Sequence, residues 1–422
     1  MSTEQVPPSV VEVLSQTHEG LEVWWDSSPL IYRKWCEEML AKEPDPEKRA
    51  QLEIQLRRLY DESRPAECLF DGVTTNPPLS KQAIDQAREE WDSWVEDLVR
   101  QHPEASLHEL FWRTYTEVVK RGAAMFRPKF ERSGYRRGYL SGQVDPRLLQ
   151  DLDTMLKQAQ ALNGASPNIM IKMPGTQEGI EGIRILTSLG IPTNATLVFT
   201  VSQLVAVAEA VMAGLAEARA KGVDLSQWRS VGTMMLGRFE GAEEFQRQAA
   251  AQGIELTETD LRWAGLAVFK KAYRIFQERG YETKLLAASM RLGPTVDGRL
   301  RIWHIEKLAG GNVVLTIFPN VYETLFANYT PEEIVPRIDE PVPEEELDKL
   351  LQIEYFRQGY EEGAYRPVRV SQARPVSPDG VGHGGHGLVL SDNPLVDFVL
   401  QPQELFAFFR ADLRGWNLGF FR

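Results

Sequence analysis

The chain has 422 residues, of which 43% are hydrophobic and 25% are charged, and its formal net charge at pH 7 is −13. This length and apolar content can bury a large core, and they suit one large α/β barrel with an appended segment. The acidic balance argues against a duplex nucleic-acid partner, which favours a basic face. Only Cys36 and Cys68 occur, so we predict no disulfide framework and a reducing environment.

The N-terminal sequence, MSTEQVPPSV, lacks a basic segment followed by an apolar one, which a secretory signal requires. No run of residues approaches the ~18 apolar positions of a membrane span. We therefore expect a soluble, cytoplasmic protein with no membrane partner. The sequence leaves the oligomeric state open, including a homo-oligomer.

Short β-rich runs alternate along the chain with longer stretches of helical periodicity, which is the pattern of parallel strands joined by crossover helices. We predict eight strands, the number that closes a TIM (β/α)8 barrel, with extra N-terminal helices. The predicted strands span residues 22–27, 69–75, 139–144, 168–173, 195–200, 230–236, 283–290 and 313–317.

Three helical segments between these strands have boundary signals. Residues 80–101 are predicted to form a helix with Ser80 as its N-cap, and residues 202–221 a helix that ends at Gly222. Residues 241–280 are predicted to form a pair of helices with a break near Gly253.

The character of the sequence changes after about Tyr329, so we divide the chain into a barrel domain of residues 1–330 and a loop-rich extension of residues 331–422. The extension is rich in Glu, Asp and Pro up to residue 366, then contains PVSPDGVGHGGHG, and ends in an aromatic segment suited to docking. His383 and His386 suggest a metal site, but no carboxylate or thiol cluster accompanies them, and we predict no metal.

Lys172 stands in the middle of an apolar, strand-like run, NIMIKMPG, which is followed by a helix. Burial of an ammonium group is costly unless the group is paired or neutralised, so a lysine here tends to lose its proton. A neutral amine attacks carbonyls and forms a Schiff base that serves as an electron sink. The alternative is a structural lysine whose amine reaches solvent at a strand end, and spacing alone favours that alternative.

Seven separated motifs resemble the transaldolase family of class I (Schiff-base) aldolases, a group that includes the fructose 6-phosphate aldolases. In chain order they are VWWDSSP from Val23, DGVTTNPPLS from Asp71, GQVDPRL from Gly142, IKMPGTQEGI from Ile171, GIPTNATLVFT from Gly190, MMLGRFE from Met234 and AASMR from Ala287. They follow the family's order over roughly residues 20–330. The resemblance implies a TIM barrel that works without a metal or organic cofactor.

The resemblance assigns catalytic roles to four residues. Lys172 forms the imine with a ketose carbonyl, Asp26 takes the proton from the 4-hydroxyl, and Gln143 and Thr196 hold a catalytic water. The neighbouring tryptophans of Asp26 are expected to raise the pKa of its carboxyl by desolvation. Taken alone, Asp26 is equally well explained as a turn residue or helix N-cap, and Thr196 as an ordinary strand residue.

The same resemblance implies a set of substrate-binding residues at the strand ends. These residues are Asn76, Asn194, Thr233, Arg238, Ser289 and Arg291. The two asparagines match positions that bind sugar hydroxyls, although turn formation explains an isolated asparagine better. Arg238 and Arg291 match phosphate-binding positions, and guanidinium groups suit phosphate because two parallel N–H donors meet two oxygens. A surface salt bridge is the alternative for either arginine.

Two positions depart from the family pattern. Gln143 stands where transaldolases carry glutamate and the fructose 6-phosphate aldolases carry glutamine, and Met235 stands where those two groups carry phenylalanine and tyrosine. Glutamine can orient a water molecule but cannot take its proton. The departures leave the choice between the two activities open.

Our first hypothesis is a transaldolase-like enzyme of the pentose phosphate pathway type, which transfers a dihydroxyacetone unit between sugar phosphates. Its substrates would belong to the class of fructose 6-phosphate, sedoheptulose 7-phosphate and erythrose 4-phosphate. The alternatives are a fructose 6-phosphate aldolase-like lyase and an aldolase or transferase for a non-standard ketose phosphate. A sugar-phosphate-binding paralogue without turnover has the weakest support, because both Lys172 and Asp26 are retained.

Overall fold

The computed structural model of the protein describes residues 6–149 and 151–364. Ten strands lie in these residues: β1 Glu22–Asp26, β2 Gly72–Thr74, β3 Tyr139–Gln143, β4 Ile169–Pro174, β5 Thr193–Val198, β6 Ser230–Met235, β7 Lys284–Ala288, β8 Thr295–Val296, β9 Arg299–Leu300 and β10 Val314–Ile317. Eight of them are parallel and close into a barrel in the order β1-β10-β7-β6-β5-β4-β3-β2. The predicted TIM barrel is confirmed. Strands β8 and β9 form a separate antiparallel hairpin.

Helices surround the barrel and also precede its first strand. They are α1 Val10–Gln16, α2 Tyr32–Lys42, α3 Pro46–Leu59, α4 Pro77–Gln86, α5 Arg88–Gln101, α6 Leu107–Arg132, α7 Leu152–Ala165, α8 Gln177–Ser188, α9 Val201–Lys221, α10 Leu236–Glu240, α11 Glu243–Ala251, α12 Glu258–Arg279, α13 Trp303–Glu306, α14 Pro319–Asn328, α15 Glu344–Leu351 and α16 Glu354–Tyr360. The predicted helix pair is confirmed as α11 and α12, and Gly253 between them has a φ of +70°.

Side chains alternate across a strand, so every second residue of a barrel strand points into the barrel. Near the N-terminal ends of the strands these positions form a buried apolar cluster. The cluster includes Trp24, Tyr139, Met170, Val231, Leu286 and Val314. Interior positions two residues further along several strands carry polar side chains, so a polar layer lies above the cluster, towards the C-terminal mouth where TIM barrels have their active sites.

Below the apolar cluster, an ion-pair network joins the N-terminal ends of β1, β6 and β7. Glu22 pairs with Lys284 at 2.8 Å and also with Arg229. Burial raises the pKa of Glu22, but the charges and hydrogen bonds of these two cations lower it to about 2. The network therefore depends on a charged carboxylate at the end of the barrel opposite the mouth.

The prediction of Ser80 as a helix N-cap is wrong. Helix α4 begins earlier, because the Asn76 side chain accepts a hydrogen bond from the Leu79 backbone N–H and prolines occupy the first turn. A proline suits that position since it has no N–H to leave unpaired. The predicted helix of residues 80–101 is also interrupted at Ala87, whose φ of −125° and ψ of 44° separate α4 from α5.

The fifth strand begins and ends two residues earlier than predicted. Thr200, predicted as its last residue, instead caps α9, and its side chain accepts a hydrogen bond from the Gln203 backbone N–H. The strand is also irregular: its register with β6 shifts between Ala195 and Val198, where Leu197 has a φ of +56°. Helix α9 ends at a left-handed Gly222, as predicted.

Helix α9 is long and apolar enough to span a membrane by length and composition, with a mean hydropathy of 1.4 in its most apolar stretch. Most of that stretch, 61%, is buried inside the protein. The helix contacts α8, α12 and β6, as a core helix of a barrel does.

The extension predicted to be loop-rich contains two helices, α15 and α16, which follow the barrel and pack on its outer helices. The Lys349 Nζ donates to the Asp260 carboxylate at 2.7 Å, which attaches α15 to α12. The ring of Tyr355 on α16 lies 5.0 Å from that of Phe239 and 5.2 Å from that of Phe245. The start of the C-terminal region therefore contacts α10, the short helix that follows β6.

The division of the chain at residue 330 stays a prediction. His383, His386 and the aromatic segment near the C-terminus lie outside the described residues.

Candidate active site

Lys172 lies on β4 in the interior polar layer, with only 9% of its surface exposed. Its Nζ donates a hydrogen bond of 3.3 Å to the Thr75 carbonyl oxygen. Burial lowers the pKa of this amine, the negative charge of Asp26 opposes the shift, and the positive charge of Arg238 adds to it. The net result is a lowered pKa, so a larger fraction of the amine is in the neutral, nucleophilic form than in a solvated lysine.

Asp26 is the last residue of β1, and its carboxyl is buried in the same polar layer. Burial raises its pKa to about 6, against the opposing effects of the Lys172 charge and a hydrogen bond from Thr74. The direction agrees with the desolvation expected from the sequence. The Thr74 hydroxyl donates to the carboxylate at 2.9 Å and also contacts the Thr316 hydroxyl. A carboxylate with this pKa can accept a proton near neutral pH.

The two strands beside β4 place further predicted residues next to the lysine. Gln143 on β3 and Asn194 on β5 are both in register with Lys172. The Gln143 backbone N–H donates to the Tyr115 hydroxyl of α6 at 2.8 Å, which fixes the end of β3. Gln143 and Asn194 therefore flank the amine on its two sides along the barrel wall.

Asn194 is the centre of a hydrogen-bond chain across three strands. Its Nδ2 donates to the Ser141 hydroxyl at 2.9 Å, and its Oδ1 accepts from the Thr233 hydroxyl at 2.6 Å. These contacts place Thr233 in the same layer as Lys172.

Thr196 lies at the irregular part of β5, in register with Pro174 of β4, and it is 5% exposed. Its carbonyl oxygen accepts a hydrogen bond of 2.6 Å from the Gly175 N–H. The register shift of β5 therefore includes the residue predicted to hold a water. Irregularities of this kind often re-aim side chains next to active sites.

Arg238 and Arg291 lie on the segments that follow β6 and β7, and both side chains are exposed. The segments touch at Gly237, whose N–H donates to the Ser289 carbonyl at 3.0 Å. A Cβ at Gly237 would lie 2.3 Å from the Ser289 carbonyl oxygen and 2.6 Å from the Arg291 Cγ, so only glycine allows the two segments to approach this closely. Ser289 itself has a φ of +57°. Three predicted binding residues thus meet around one glycine.

Asn76 follows β2 at the same mouth, directly after the Thr75 carbonyl that Lys172 contacts. Its Oδ1 caps α4, as described above, so the turn-forming role is present. Contact with a sugar hydroxyl could use its Nδ2 or the second lone pair of the oxygen. The binding role of Asn76 stays a prediction.

The sequence did not predict four hydroxyl-bearing residues that contact the candidate site: Tyr115, Ser141, Thr74 and Thr316. Thr74 lies inside a quoted motif, and Thr316 is the polar residue of an apolar strand, the signal that drew attention to Lys172. Tyr115 comes from the middle of α6, and its contact with β3 depends on how that helix packs.

Within residues 6–149 and 151–364, no three His, Cys, Asp or Glu side chains are grouped so that they could hold a metal ion. The polar layer instead presents one amine, one carboxylate, amides and hydroxyls. These groups suit proton transfer and carbonyl chemistry at Lys172.

A sequence model of the family described as Transaldolase/Fructose-6-phosphate aldolase matches residues 55–363, which is 309 of the 422 residues. The chain belongs to this family. The matched range includes all the predicted catalytic and substrate-binding residues except Asp26, which precedes residue 55. Pairing of β1 with β2 and β10 brings Asp26 into the same barrel.

Individual members of the family show the same relationship. The chain is 33% identical over 230 residues to the transaldolase of Thiobacillus denitrificans, covering 53% of this chain and 62% of that protein. It is 32% identical over 209 residues to transaldolase 1 of Streptomyces avermitilis, covering 49% and 54%, and to the transaldolase of Kocuria rhizophila, covering 49% and 55%. The alignments therefore span about half to three fifths of the length of these relatives.

Proposed function

We propose that this protein is a transaldolase-like enzyme that transfers a dihydroxyacetone unit between sugar phosphates through a Schiff base on Lys172. The observation that carries the proposal is a buried lysine with a lowered pKa beside a buried carboxylate with a raised pKa. The charge of each group acts on the pKa of the other. Residues whose environments push their pKa values towards neutrality are suited to acid–base and nucleophilic chemistry.

In the proposed reaction, the neutral Lys172 amine attacks the ketose carbonyl, and loss of water gives an imine. Asp26 takes the proton of the 4-hydroxyl, the bond between carbons 3 and 4 breaks, and its electron pair is delocalised onto the imine nitrogen. The aldose phosphate leaves. The enamine carbon left on Lys172 then attacks the carbonyl carbon of an acceptor aldehyde, whose oxygen takes the proton from Asp26. Water hydrolyses the resulting imine, which releases the product ketose and the free amine.

The other predicted residues hold the substrate during these steps. Asn194, Asn76 and Thr233 bind hydroxyl groups, with Ser289 near the same substrate. Arg238 and Arg291, which are exposed and lie on segments that meet at Gly237, bind the phosphate. Gln143 and Thr196 orient the water that forms and breaks the imine. No metal or organic cofactor is needed, because the lysine supplies the electron sink.

A fructose 6-phosphate aldolase-like lyase is the second candidate, and Gln143 is the observation that favours it. The glutamine lies in register with Lys172, where an amide can position water but cannot remove its proton. In that reaction a proton replaces the aldehyde acceptor. A cytoplasmic location and assembly into a homo-oligomer stay further predictions of the same proposal.

Borohydride reduction in the presence of fructose 6-phosphate tests the nucleophile. We expect a reduced adduct on Lys172 by intact mass and peptide mapping, and no adduct in a Lys172→Met variant. Lys270 is a matched internal control, since burial lowers its pKa to about 8 but its Nζ donates to three carbonyl oxygens of residues 337, 338 and 340. An unchanged mass with several ketose phosphates, or an adduct on Lys270 instead, would contradict the proposal.

The acceptor separates the two candidates once an adduct is found. Turnover that depends on erythrose 4-phosphate identifies transfer, whereas equal turnover without it identifies cleavage.

A further inference from the structure

The two arginines proposed to bind phosphate lie on different segments, so their spacing has to be fixed by the protein. Arg238 lies on α10, and Arg291 lies in the loop after β7. Between these segments is His304, the second residue of the short helix α13, with no exposed surface. Neither the motifs nor the proposed reaction gives this histidine a role.

His304 is bonded to both arginine-bearing segments. Its Nδ1 accepts a hydrogen bond of 3.0 Å from the Arg291 backbone N–H. That nitrogen therefore carries no proton, and Nε2 is the protonated nitrogen of the ring. The Nε2 atom lies 2.6 Å from the Glu240 Oε1, to which it donates. Glu240 is the last residue of α10, two positions after Arg238.

Arg262 of α12 also joins α10 to the loop after β7. One of its guanidinium nitrogens pairs with the second carboxylate oxygen of Glu240. Its Nε and another nitrogen donate to the Leu292 carbonyl oxygen at 3.2 and 3.0 Å. Leu292 directly follows Arg291, so Glu240 links α10 to the loop after β7 through two independent side chains.

These three residues, which we name the Glu240 network, are buried: Glu240 is 1% exposed and Arg262 is 8% exposed. A buried ion pair gives little net stability relative to apolar side chains, because desolvation offsets the attraction. The ion pair does restrict the relative orientation of the groups that it joins, since each of its hydrogen bonds has a preferred geometry. Its clearest effect here is therefore on the relative position of residues 238–240 and 291–292.

We propose that His304, Glu240 and Arg262 are positioning residues that fix the spacing of the Arg238 and Arg291 guanidinium groups for a phosphate dianion. This inference rests on the proposed sugar-phosphate function. It assigns the preference for phosphorylated over unphosphorylated ketoses to a network that does not itself contact the substrate. Small displacements of binding groups are costly because the two forks must meet the same anion.

Two substitutions of the histidine break the network at different bonds. His304→Gln keeps an amide N–H in the direction of Glu240 but removes the acceptor for the Arg291 N–H. His304→Asn keeps an acceptor near the Nδ1 position but does not reach Glu240. Glu240→Gln keeps the shape of the side chain and removes the charge that pairs with Arg262. Glu22→Gln is the matched control, because it also breaks a buried ion-pair network, at the opposite end of the barrel.

Half-saturating concentrations for borohydride trapping on Lys172 are compared for fructose 6-phosphate and free dihydroxyacetone. The three network variants should raise the value for fructose 6-phosphate about tenfold and leave that for dihydroxyacetone unchanged. The ratio is measured on one preparation, so a smaller folded fraction does not alter it. An unchanged ratio, an equal rise for both ligands, or the same change in Glu22→Gln would overturn the proposal.

Calorimetric titration with inorganic phosphate separates this inference from the proposed function. Phosphate affinity should fall about tenfold in the network variants and stay unchanged in Glu22→Gln. A wild-type protein that binds phosphate but forms no adduct on Lys172 would refute the Schiff-base function and leave the network testable. Phosphate affinity that is equal in wild type and network variants would refute the network alone.

Discussion

The Thr74 hydroxyl donates a hydrogen bond of 2.9 Å to the Asp26 carboxylate, and the two residues are paired in register on adjacent strands. This bond lowers the pKa of a carboxyl that burial raises to about 6. The threonine therefore opposes the shift that burial causes, and the charge of Lys172 opposes it more strongly. The contact couples the protonation of the proposed base to the β1–β2 pairing.

Thr74→Val keeps the shape of the side chain and removes this bond. We expect the pKa of Asp26 to rise by about one to two units, because a hydrogen bond to a charged group contributes about 1.5–3 kcal/mol and a pKa unit corresponds to about 1.4 kcal/mol. The acid limb of the kcat profile should move to higher pH by that amount. Thr74→Ser, which keeps the hydroxyl, should leave the limb in place. An unshifted limb in the valine variant would show that Asp26 does not control it.

Asp26→Asn should abolish the proposed activity and stabilise the protein at pH 8. The folded pKa of about 6 lies above the value of 3.8 for a solvated aspartate, so ionising this group costs folding free energy as pH rises from 3.8 through 6. The cost reaches about 3 kcal/mol above this range. Urea denaturation at pH 8 and pH 3.5 checks this: the gain of the variant should be present at pH 8 and vanish at pH 3.5. A variant less stable than wild type at pH 8 contradicts the raised pKa.

Gln143→Glu should raise transaldolase turnover. A glutamate in register with Lys172 could take and return the proton of the ordered water, and general acid–base catalysis contributes about 100-fold or more in favourable cases. We expect at least about tenfold in kcat with erythrose 4-phosphate as acceptor. Cleavage of fructose 6-phosphate without acceptor is the reference activity. A fall in both activities would mean that the amide has a role of its own.

Arg238→Ala and Arg291→Ala should weaken binding of phosphorylated substrates. Loss of a charge-assisted hydrogen bond costs about 1.5–3 kcal/mol, which corresponds to a rise in KM of about 10- to 100-fold. The half-saturating concentration of free dihydroxyacetone should change little. Arg299→Ala is the matched control, because Arg299 is an exposed arginine of β9 that pairs with Glu333. Equal effects on both substrates would move the phosphate site elsewhere.

Acid should destabilise the protein through Glu22. Its folded pKa of about 2 lies below the value of 4.5 for a solvated glutamate, so its contribution is present above pH 4.5 and is lost as pH falls towards 2. The loss amounts to about 3 kcal/mol. Burial of Lys284 lowers the pKa of its amine, but that group stays protonated throughout this range and does not change the slope. The free energy of unfolding of wild type minus that of Glu22→Gln, measured from pH 5 to pH 2, should shrink by this amount; a constant difference would contradict it.

The sequence was sufficient to predict the barrel because strands and helix ends are marked by residues close together in the chain. A strand shows itself by β-rich runs, a helix end by residues such as Gly222, and the family motifs carry Lys172 and Arg238 directly. The errors were also local. Ser80 resembles an N-cap, but Asn76 followed by two prolines competes for the same helix start and wins because it satisfies the first free N–H.

The sequence by itself determined the succession of strands and helices that makes an α/β barrel and, through its motifs, the family and the lysine of β4, because these signals lie in consecutive residues. Only the tertiary structure decided that Thr74 donates to Asp26, that Tyr115 holds the end of β3, and that His304 joins the two arginine-bearing segments. These partners come from elements far apart in the chain, and a hydrogen bond depends on distance and angle. No residue pattern contains that information, since packing of whole helices against the barrel sets it.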